Sequence, residues 1–322
     1  MKRVQYDRHG GPEKMYFGDF DLPPVGDGEV RVSVRAAAVN PLDWKLRQGA
    51  MKLFTGRRFP KGMGTDFAGI VEAVGGKVTD LKVGDEVFGT VDFRKSGAFA
   101  ETVLVDAGQV ARKPSQLSFA EAASLPIAAM TAWVAIIDKA RPRSGTRIFI
   151  NGCNGAVGAF AVQLAISHGA HISGACGPAS RASAAAVGVG RIFGYADRQA
   201  YAQYGKYDAV FDTLGTLDIG HGLSMLNPKG VFVDINPTPG RLIRGMLSRR
   251  YKLAFATMGI KHLPAIAELA GRGTLRPTIG LEAPFTDALS VIADAETGSR
   301  SSPGKAVLAF EGAGQAASIA RR

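Results

Sequence analysis

The sequence predicts an α/β chain of two domains, a β-barrel-like unit and a doubly wound parallel sheet. Three observations predict it. The chain has 322 residues, more than one ordinary hydrophobic core organises. Up to about Ser118 it consists of short β-forming runs closed by glycine turns, the grammar of a small barrel. Beyond Ser118, strand-like runs alternate with helical ones, a rhythm that implies parallel strands joined by helical crossovers.

In chain order, Val30-Arg31-Val32-Ser33-Val34-Arg35 alternates apolar and polar residues as a half-buried strand does. Phe67 to Val74 is a continuous β-forming run closed by Gly75-Gly76, Val83 to Gly89 reads as a turn and a strand, and Ala98 to Val105 as another strand. A helical stretch from Phe119 to Lys139 is broken at Pro126, which has no N–H for the helix ladder. Arg147 to Asn151 is then a strand, followed by a glycine-rich turn and a helix to about His168. His171 to Ala175, Asp208 to Asp212, Val231 to Ile235 and Leu253 to Thr257 supply further strands, the last closing the sheet. After Lys261 come a helix and a tail ending in strand-like Ala306 to Phe310. The tail lacks the parallel-sheet rhythm, so it is expected to return to the first domain. The domains are therefore expected at 1–118 with 261–322, and at 119–260. No internal repeat or low-complexity segment interrupts them.

Hydrophobic residues form 46% of the chain, the level of a packed globular protein. No apolar run reaches the roughly 18 residues of a membrane span. The charged start, Met1-Lys2-Arg3, predicts no export signal, and two cysteines, Cys153 and Cys176, cannot build a disulfide framework. Both points predict a cytoplasmic protein. The net charge of +11 suits phosphate-bearing cofactors as well as nucleic acid. The densest basic group, Arg241, Arg244, Arg249, Arg250 and Lys252, has no interleaved stacking aromatics, so no specific nucleic-acid partner is expected.

The most informative segment is Asn151-Gly152-Cys153-Asn154-Gly155-Ala156-Val157-Gly158, where a buried strand runs into Gly-x-x-Gly-x-x-Gly and then into an apolar helix. Glycines allow the chain to turn sharply, to approach a pyrophosphate, and to pack helix on strand. The helix start offers free N–H groups and partial positive charge to phosphates. An NAD site usually ends the second strand with Asp or Glu, for the ribose 2′-hydroxyl. Here Cys176-Gly177-Pro178-Ala179-Ser180-Arg181 carries no acid. Arg181 either meets a 2′-phosphate, which favours NADP, or is a solvated residue of a first helical turn.

Several segments in order resemble the zinc-free branch of the medium-chain dehydrogenase/reductase superfamily, the NADPH quinone oxidoreductases and their enone-reducing relatives. They are Tyr6 to Glu13, Ala36 to Lys45, Gly64-Thr65-Asp66-Phe67-Ala68-Gly69, Gly84 to Gly89, and Leu125-Pro126 with Met130 to Trp133. The resemblance implies a GroES-like β-barrel-type catalytic domain made from both chain ends, an inserted Rossmann domain, an active site in the cleft between them, and a homodimer paired through the last cofactor-sheet strand. It places Asn40 and Thr131 near the nicotinamide, and Asn154, Gly155, Ala156 and Val157 on the pyrophosphate. It places Tyr195, with Ser180 and Arg181, at the adenosine phosphate. Asp212, Thr213, Ile235 and Asn236 fall on loops beside the nicotinamide and ribose. The chain departs from the family pattern at Ser180, where a basic residue often stands, and at Ala156, where a second glycine is usual.

The zinc members of the superfamily place Cys and His where this chain has Asn40 and Thr65, and the cysteine-rich structural-zinc loop is missing. None of the five histidines joins a Cys/His set with metal spacing, so no metal is expected. Without a Lewis acid, reduction of a plain carbonyl loses several kcal/mol of transition-state help. A quinone or enone instead takes hydride at carbon and delocalises charge onto a distant oxygen, which suits catalysis by positioning. Candidate polar groups are Asn40, Asp43, Lys45 and Thr131. Lys45 either stabilises enolate charge or is solvated, and Asp43 either acts in the site or caps its turn. Cys153 reads as a packed small residue rather than a redox switch. The leading expectation is an NADPH-dependent quinone or enone reductase. The alternatives are a 2-enoyl thioester reductase and a non-enzymatic NADPH-binding or RNA-binding protein.

Overall fold

The computed structural model describes residues 1–311 apart from 57, 96, 237 and 300–302, and leaves the side chains of 239, 242, 244 and 246 undescribed. The chain forms two units, one of 1–127, 263–271 and the segment from 277 on, the other of 128–262 and 272–276.

In the first unit, β1 (Lys2–Tyr6), β2 (Met15–Asp19), β3 (Glu29–Ala38), β4 (Lys61–Gly62), β5 (Asp66–Val74), β6 (Glu86–Thr90), β7 (Thr102–Asp106) and β8 (Val110–Arg112) come from the first part of the chain. The second unit holds β9 (Arg147–Asn151), β10 (His171–Ala175), β11 (Arg191–Phe193), β12 (Tyr207–Asp212), β13 (Leu226–Asp234) and β14 (Tyr251–Leu253). The chain then returns to the first unit with β15 (Ile279–Pro284) and β16 (Lys305–Ala309).

The first unit's main sheet runs β15-β16-β3-β5-β6-β8, with β7 also paired to β3, and a small sheet runs β2-β1-β4. Alternation in β3 works as the sequence predicts: Val30, Val32 and Val34 are buried, while the residues between them are half-buried. They pack with Phe67, Val71, Val87, Phe99 and Leu308. Each such side chain contributes roughly 1.5–3 kcal/mol by leaving water. Two register irregularities between β3 and β5 bend the strand, which lets one sheet wrap its own core. The expected return of the tail is present, with Val307 opposite Ala38 in an antiparallel β16–β3 pair. β15 escaped the sequence reading because it is a half-buried edge strand with little apolar alternation.

The helix Pro41–Arg47 is strapped from behind by Arg47, a fully buried guanidinium that pairs with Glu296 and donates to Gly10 O at 3.1 Å. This strap fixes the turn that carries Asn40 and Asp43.

The second unit's sheet is wholly parallel, in the order β11-β10-β9-β12-β13-β14. That is the order of a dinucleotide-binding doubly wound sheet, whose topological switch lies between its central strands β9 and β12. The helix Ala156–Ser167 buries Phe160, Ala161, Val162, Leu164 and Ala165.

Three expectations need correction. The first unit keeps the chain to Ile127, past the expected break at Ser118, and the second gives it back after His262 rather than Ile260. The short helix Phe119–Ala123, closed by a reciprocal Ser118–Glu121 capping box, packs on β3 and β5, and Pro126 opens a new helix. The last strand of the cofactor sheet is Tyr251–Leu253, not Leu253 to Thr257. After Leu253, Ala254 N still donates to Asp234 O, but Ala256–His262 then winds into a tight helical turn with Gly259 pressed on Met130 O. Between β13 and β14 lies the helix Pro239–Met246. Among the described residues, no helix is long and apolar enough to cross a membrane.

Candidate active site

The second unit places the glycine-rich turn at the C-terminal end of β9, where an open α/β sheet binds ligands. Gly152 has φ +83°, and a Cβ there would stand 2.3 Å from Thr213 Oγ1. A Cβ on Gly158 would stand 2.0 Å from Gly152 O, so the helix lies directly on the turn. Gly155 is exposed, and its missing Cβ would meet only Gly152 O at 3.4 Å. Ala156 and Val157 form the first helical turn, whose N–H groups have no acceptor within the helix. This cradle fits a pyrophosphate: its outer face is open, and although Gly155 N is spent on Gly152 O, the N–H groups of the first helical turn remain to be satisfied.

Around the ends of β10 and β11, Asn154 Nδ2 donates to Ser183 Oγ at 2.8 Å, and Ser183 Oγ donates to Ser180 O at 3.1 Å, tying the turn to the helix Arg181–Val187. Ser180 is half-buried and Arg181 exposed. Among the described residues the Arg181 side chain makes no ion pair or hydrogen bond, while its charge opposes the upward push of burial on the Cys176 thiol. Tyr195 is 44% exposed. Asn154, Ser180, Arg181 and Tyr195 thus gather at one edge of the sheet. Cys153 and Cys176 are both buried, and burial pushes the Cys153 thiol up to about 12, which keeps it protonated near neutral pH.

On the other side of the switch, the Asp212 carboxylate is committed to the protein. Its Oδ1 accepts from Asn151 Nδ2 at 2.8 Å and Gly215 N at 3.0 Å, and its Oδ2 from Leu217 N at 3.0 Å and Arg241 Nη2 at 3.2 Å. Arg241 Nε also donates to Asp234 Oδ2 at 2.7 Å, where Tyr251 OH donates at 2.7 Å. Asp212 therefore shapes the loop carrying Thr213, whose Oγ1 donates to Asn151 O at 2.7 Å. Asn236 Nδ2 donates to Thr213 O at 3.0 Å, next to half-buried Ile235. Sequence reading grouped Arg241 with a surface basic cluster. The structure turns its guanidinium inward, onto two carboxylates that the sequence separates from it.

The first unit holds a second cluster. Asn40 and Asp43 are 3% and 1% exposed at the start of the helix Pro41–Arg47. Asn40 N donates to Asp43 Oδ2 at 2.7 Å, so Asp43 does cap its turn. Thr65 Oγ1 donates to Asp43 Oδ1 at 3.0 Å. Asn40 Nδ2 donates to Asp66 Oδ2 at 3.0 Å and, more weakly, to Ala38 O and Thr65 Oγ1, both at 3.3 Å. Lys305 Nζ donates to Asn40 Oδ1 at 2.7 Å and to Asp66 Oδ2 at 3.3 Å. Ile127 N reaches both Asp66 oxygens at 3.2 Å. Burial pushes Asp43 up to about 7, with Asp66 adding to the push and Asn40 N, Thr65 and Lys305 opposing it. Burial also raises Asp66, against Lys305, Asn40 and Ile127 N.

Lys45 is exposed on the same helix, with its pKa lowered by the protein packed along it. Thr131 is 5% exposed and belongs to the second unit, on the helix Pro126–Trp133. Sequence reasoning named Asn40 and Asp43 but missed Lys305 and the pairing role of Asp66. The available signal was a lysine opening the apolar strand Ala306 to Phe310, where a charge is out of place unless paired.

The chain resembles known proteins in sequence and fold. A family model described as Alcohol dehydrogenase GroES-like domain matches residues 26–115, and one described as Zinc-binding dehydrogenase matches 187–308. A chloroplastic quinone-oxidoreductase from Triphysaria versicolor is 30% identical over 297 residues, covering 87% of this chain and 90% of that one. The chain belongs to the medium-chain dehydrogenase/reductase superfamily. A chloroplastic NADPH-dependent alkenal/one oxidoreductase from Arabidopsis thaliana is 34% identical over 231 residues, 68% of this chain and 58% of that one. The solved quinone oxidoreductase of Coxiella burnetii superposes with a TM-score of 0.88 at 29% identity, covering 97% and 99% of the two chains. The chain is thus of an oxidoreductase family, with its Asn40 and Thr65 at the positions compared above with zinc ligands. Among its described residues, no three His, Cys, Asp or Glu side chains group so as to hold a metal.

Proposed function

We propose that the chain is a zinc-independent reductase that transfers hydride from NADPH to a quinone or another α,β-unsaturated carbonyl. The observation that carries the reading is the edge of the cofactor sheet. There an open phosphate cradle at the switch point adjoins exposed Arg181, whose side chain has no partner among the described residues, and β10 ends without a carboxylate. An acid there would hold a ribose hydroxyl, whereas a guanidinium suits a 2′-phosphate. The named activities of the relatives from Triphysaria and Arabidopsis support the acceptor class.

Bound NADPH would supply the hydride. The Gly155–Val157 turn would hold its pyrophosphate, Ser180, Arg181 and Tyr195 its adenosine phosphate, and the loops of Thr213 and Asn236 its ribose side. Asn40, Asp43, Lys45 and Thr131 would shape the acceptor end. Hydride added to an enone carbon leaves negative charge on the conjugated oxygen, which then takes a proton. Such an acceptor needs orientation and exclusion of water more than a Lewis acid.

A second acceptor class has one observation in its favour. A mycocerosic acid synthase-like polyketide synthase of Mycobacterium tuberculosis is 32% identical over 282 residues, 83% of this chain but 13% of that one. Enoyl thioesters therefore belong in the assay. Oxidation of NADPH and NADH is followed with quinones, enones and one enoyl thioester, with and without a chelator. Chelator-insensitive NADPH oxidation with quinones or enones is expected. NADPH binding without any turnover overturns the reading and favours a binding protein, and turnover confined to the thioester replaces the acceptor. The open edge at β14 is proposed to pair two copies into a homodimer, which light scattering tests. The two buried free thiols suit the reducing cytoplasm.

A further inference from the structure

An ammonium group only donates hydrogen bonds, and that fixes more than one bond in the buried cluster of the first unit. Because Lys305 Nζ stands 2.7 Å from Asn40, the carboxamide oxygen must face it and the nitrogen must face Asp66. Both carboxamide hydrogens then have acceptors, Asp66 for one and the Ala38 O and Thr65 Oγ1 pair for the other. Without Lys305 the carboxamide oxygen would lose its buried donor, and only the acceptors on the nitrogen side would be left to hold the orientation. Lys305 is itself 6% exposed, so its charge acts at low dielectric and its partner must be close.

We propose that Lys305, which opens β16, is a positioning residue of the reductase site: its buried ammonium orients the Asn40 carboxamide and pairs with Asp66, giving the turn of Asn40 and Asp43 a single arrangement. This rests on the reading of the chain as a reductase that uses Asn40.

The charged groups facing Asp43 are Asp66 from β5 and Lys305 from β16, with Thr65 and Asn40 N as its neutral donors. Lys305 holds Asp43 down and Asp66 pushes it up. Their removal therefore has opposite signs, which a loss of packing alone does not reproduce.

Lys305→Met is expected to lower kcat on quinone or enone by about tenfold to a hundredfold, the cost of small misplacement near reacting groups, with KM for NADPH little changed. It is also expected to move the inflection of the rate profile that begins near Asp43's value to higher pH by about one pH unit. The double variant Lys305→Met/Asp66→Asn removes both charges. It is expected to fold even where the single variant does not, to bring the inflection back toward that of the unaltered chain, and to leave kcat low because Asn40 is still unoriented. Unaltered kcat and inflection in Lys305→Met overturn the proposal, as does recovery of kcat in the double variant. Hydrogen exchange of the Asn40 carboxamide, read by nitrogen-15 NMR, needs no turnover. Slow exchange in the unaltered chain and fast exchange in whichever Lys305 variant folds is the expected result, and equal rates overturn the proposal. If the unaltered chain reduces no acceptor, the reductase reading fails while the exchange measurement still decides the role of Lys305.

Discussion

Arg181→Ala should separate the two nicotinamide cofactors. Arg181 is exposed, opens the helix Arg181–Val187, and its side chain has no ion pair or hydrogen bond among the described residues. Its removal therefore leaves no buried group unsatisfied, and stability should change by no more than about 0.5 kcal/mol. A charge-assisted hydrogen bond contributes about 1.5–3 kcal/mol, and an exposed one sits at the low end because water and salt screen it. At about 1.4 kcal/mol per factor of ten, kcat/KM for NADPH should fall about tenfold, mostly through KM. NADH lacks the 2′-phosphate, so its kcat/KM should change by less than about twofold. The assay is steady-state oxidation of each cofactor with one saturating quinone, repeated at higher salt. The NADPH advantage should shrink with salt in the unaltered chain and hardly at all in the variant. Equal losses for both cofactors, or none for either, would refute the assignment of Arg181 to the phosphate.

Gly158→Ala places a methyl group 2.0 Å from Gly152 O, so the helix must move off the turn. A loss of about 1–3 kcal/mol and a weakened NADPH affinity are expected by thermal melting and fluorescence titration. Arg241→Met leaves the buried carboxylates of Asp212 and Asp234 without their cation, and about 3–5 kcal/mol of stability should go in urea unfolding. Asp43 has its folded-state pKa raised to about 7 from an ordinary 3.8, so between those values the folded chain binds the extra proton. Its contribution should thus favour folding at low pH and be lost as pH rises through about 7. Asp43→Asn should flatten that part of the stability profile, and an unchanged slope would count against a raised Asp43. Activity should survive prolonged chelation, measured beside a zinc alcohol dehydrogenase that loses its own.

Local signals carried far in this chain. The strands at Arg147–Asn151 and His171–Ala175 match their sequence bounds, the first an apolar Ile148-Phe149-Ile150 run closed by the glycine turn, the second closed by Gly177-Pro178. The glycine turn was equally legible, since φ at Gly152 and helix packing at Gly158 leave little else permitted there. What stayed hidden depends on partners that only the fold brings together. Arg241 looks solvated until the fold brings it to Asp212 and Asp234, and Lys305 looks like a tail residue until β16 crosses to β3. The misread strand at Leu253 to Thr257 has the same origin. Its apolar run continues past Leu253, but there the backbone turns away from β13 after one last bond to Asp234 O.

The two hidden cations share a design. Each comes late in the chain and satisfies buried carboxylates that follow, or lie on, a strand next to a predicted site loop: Lys305 for Asp66, and Arg241 for Asp212 and Asp234. A buried ion pair often stabilises a fold no better than apolar residues of the same volume, so stability alone is a poor reason for it. Its advantage here is directional. Asp212 accepts from Leu214, Gly215 and Leu217 N, which fixes the backbone beside Thr213, and Asp66 with Lys305 leaves Asn40 one orientation. An apolar replacement could fill either space without choosing a loop conformation. Replacing the second brace by Arg241→Met together with Asp212→Asn and Asp234→Asn should therefore restore much of the stability lost in Arg241→Met while leaving NADPH affinity low. Full recovery of affinity along with stability would mean that these charges only balance one another and do not shape the cofactor loop.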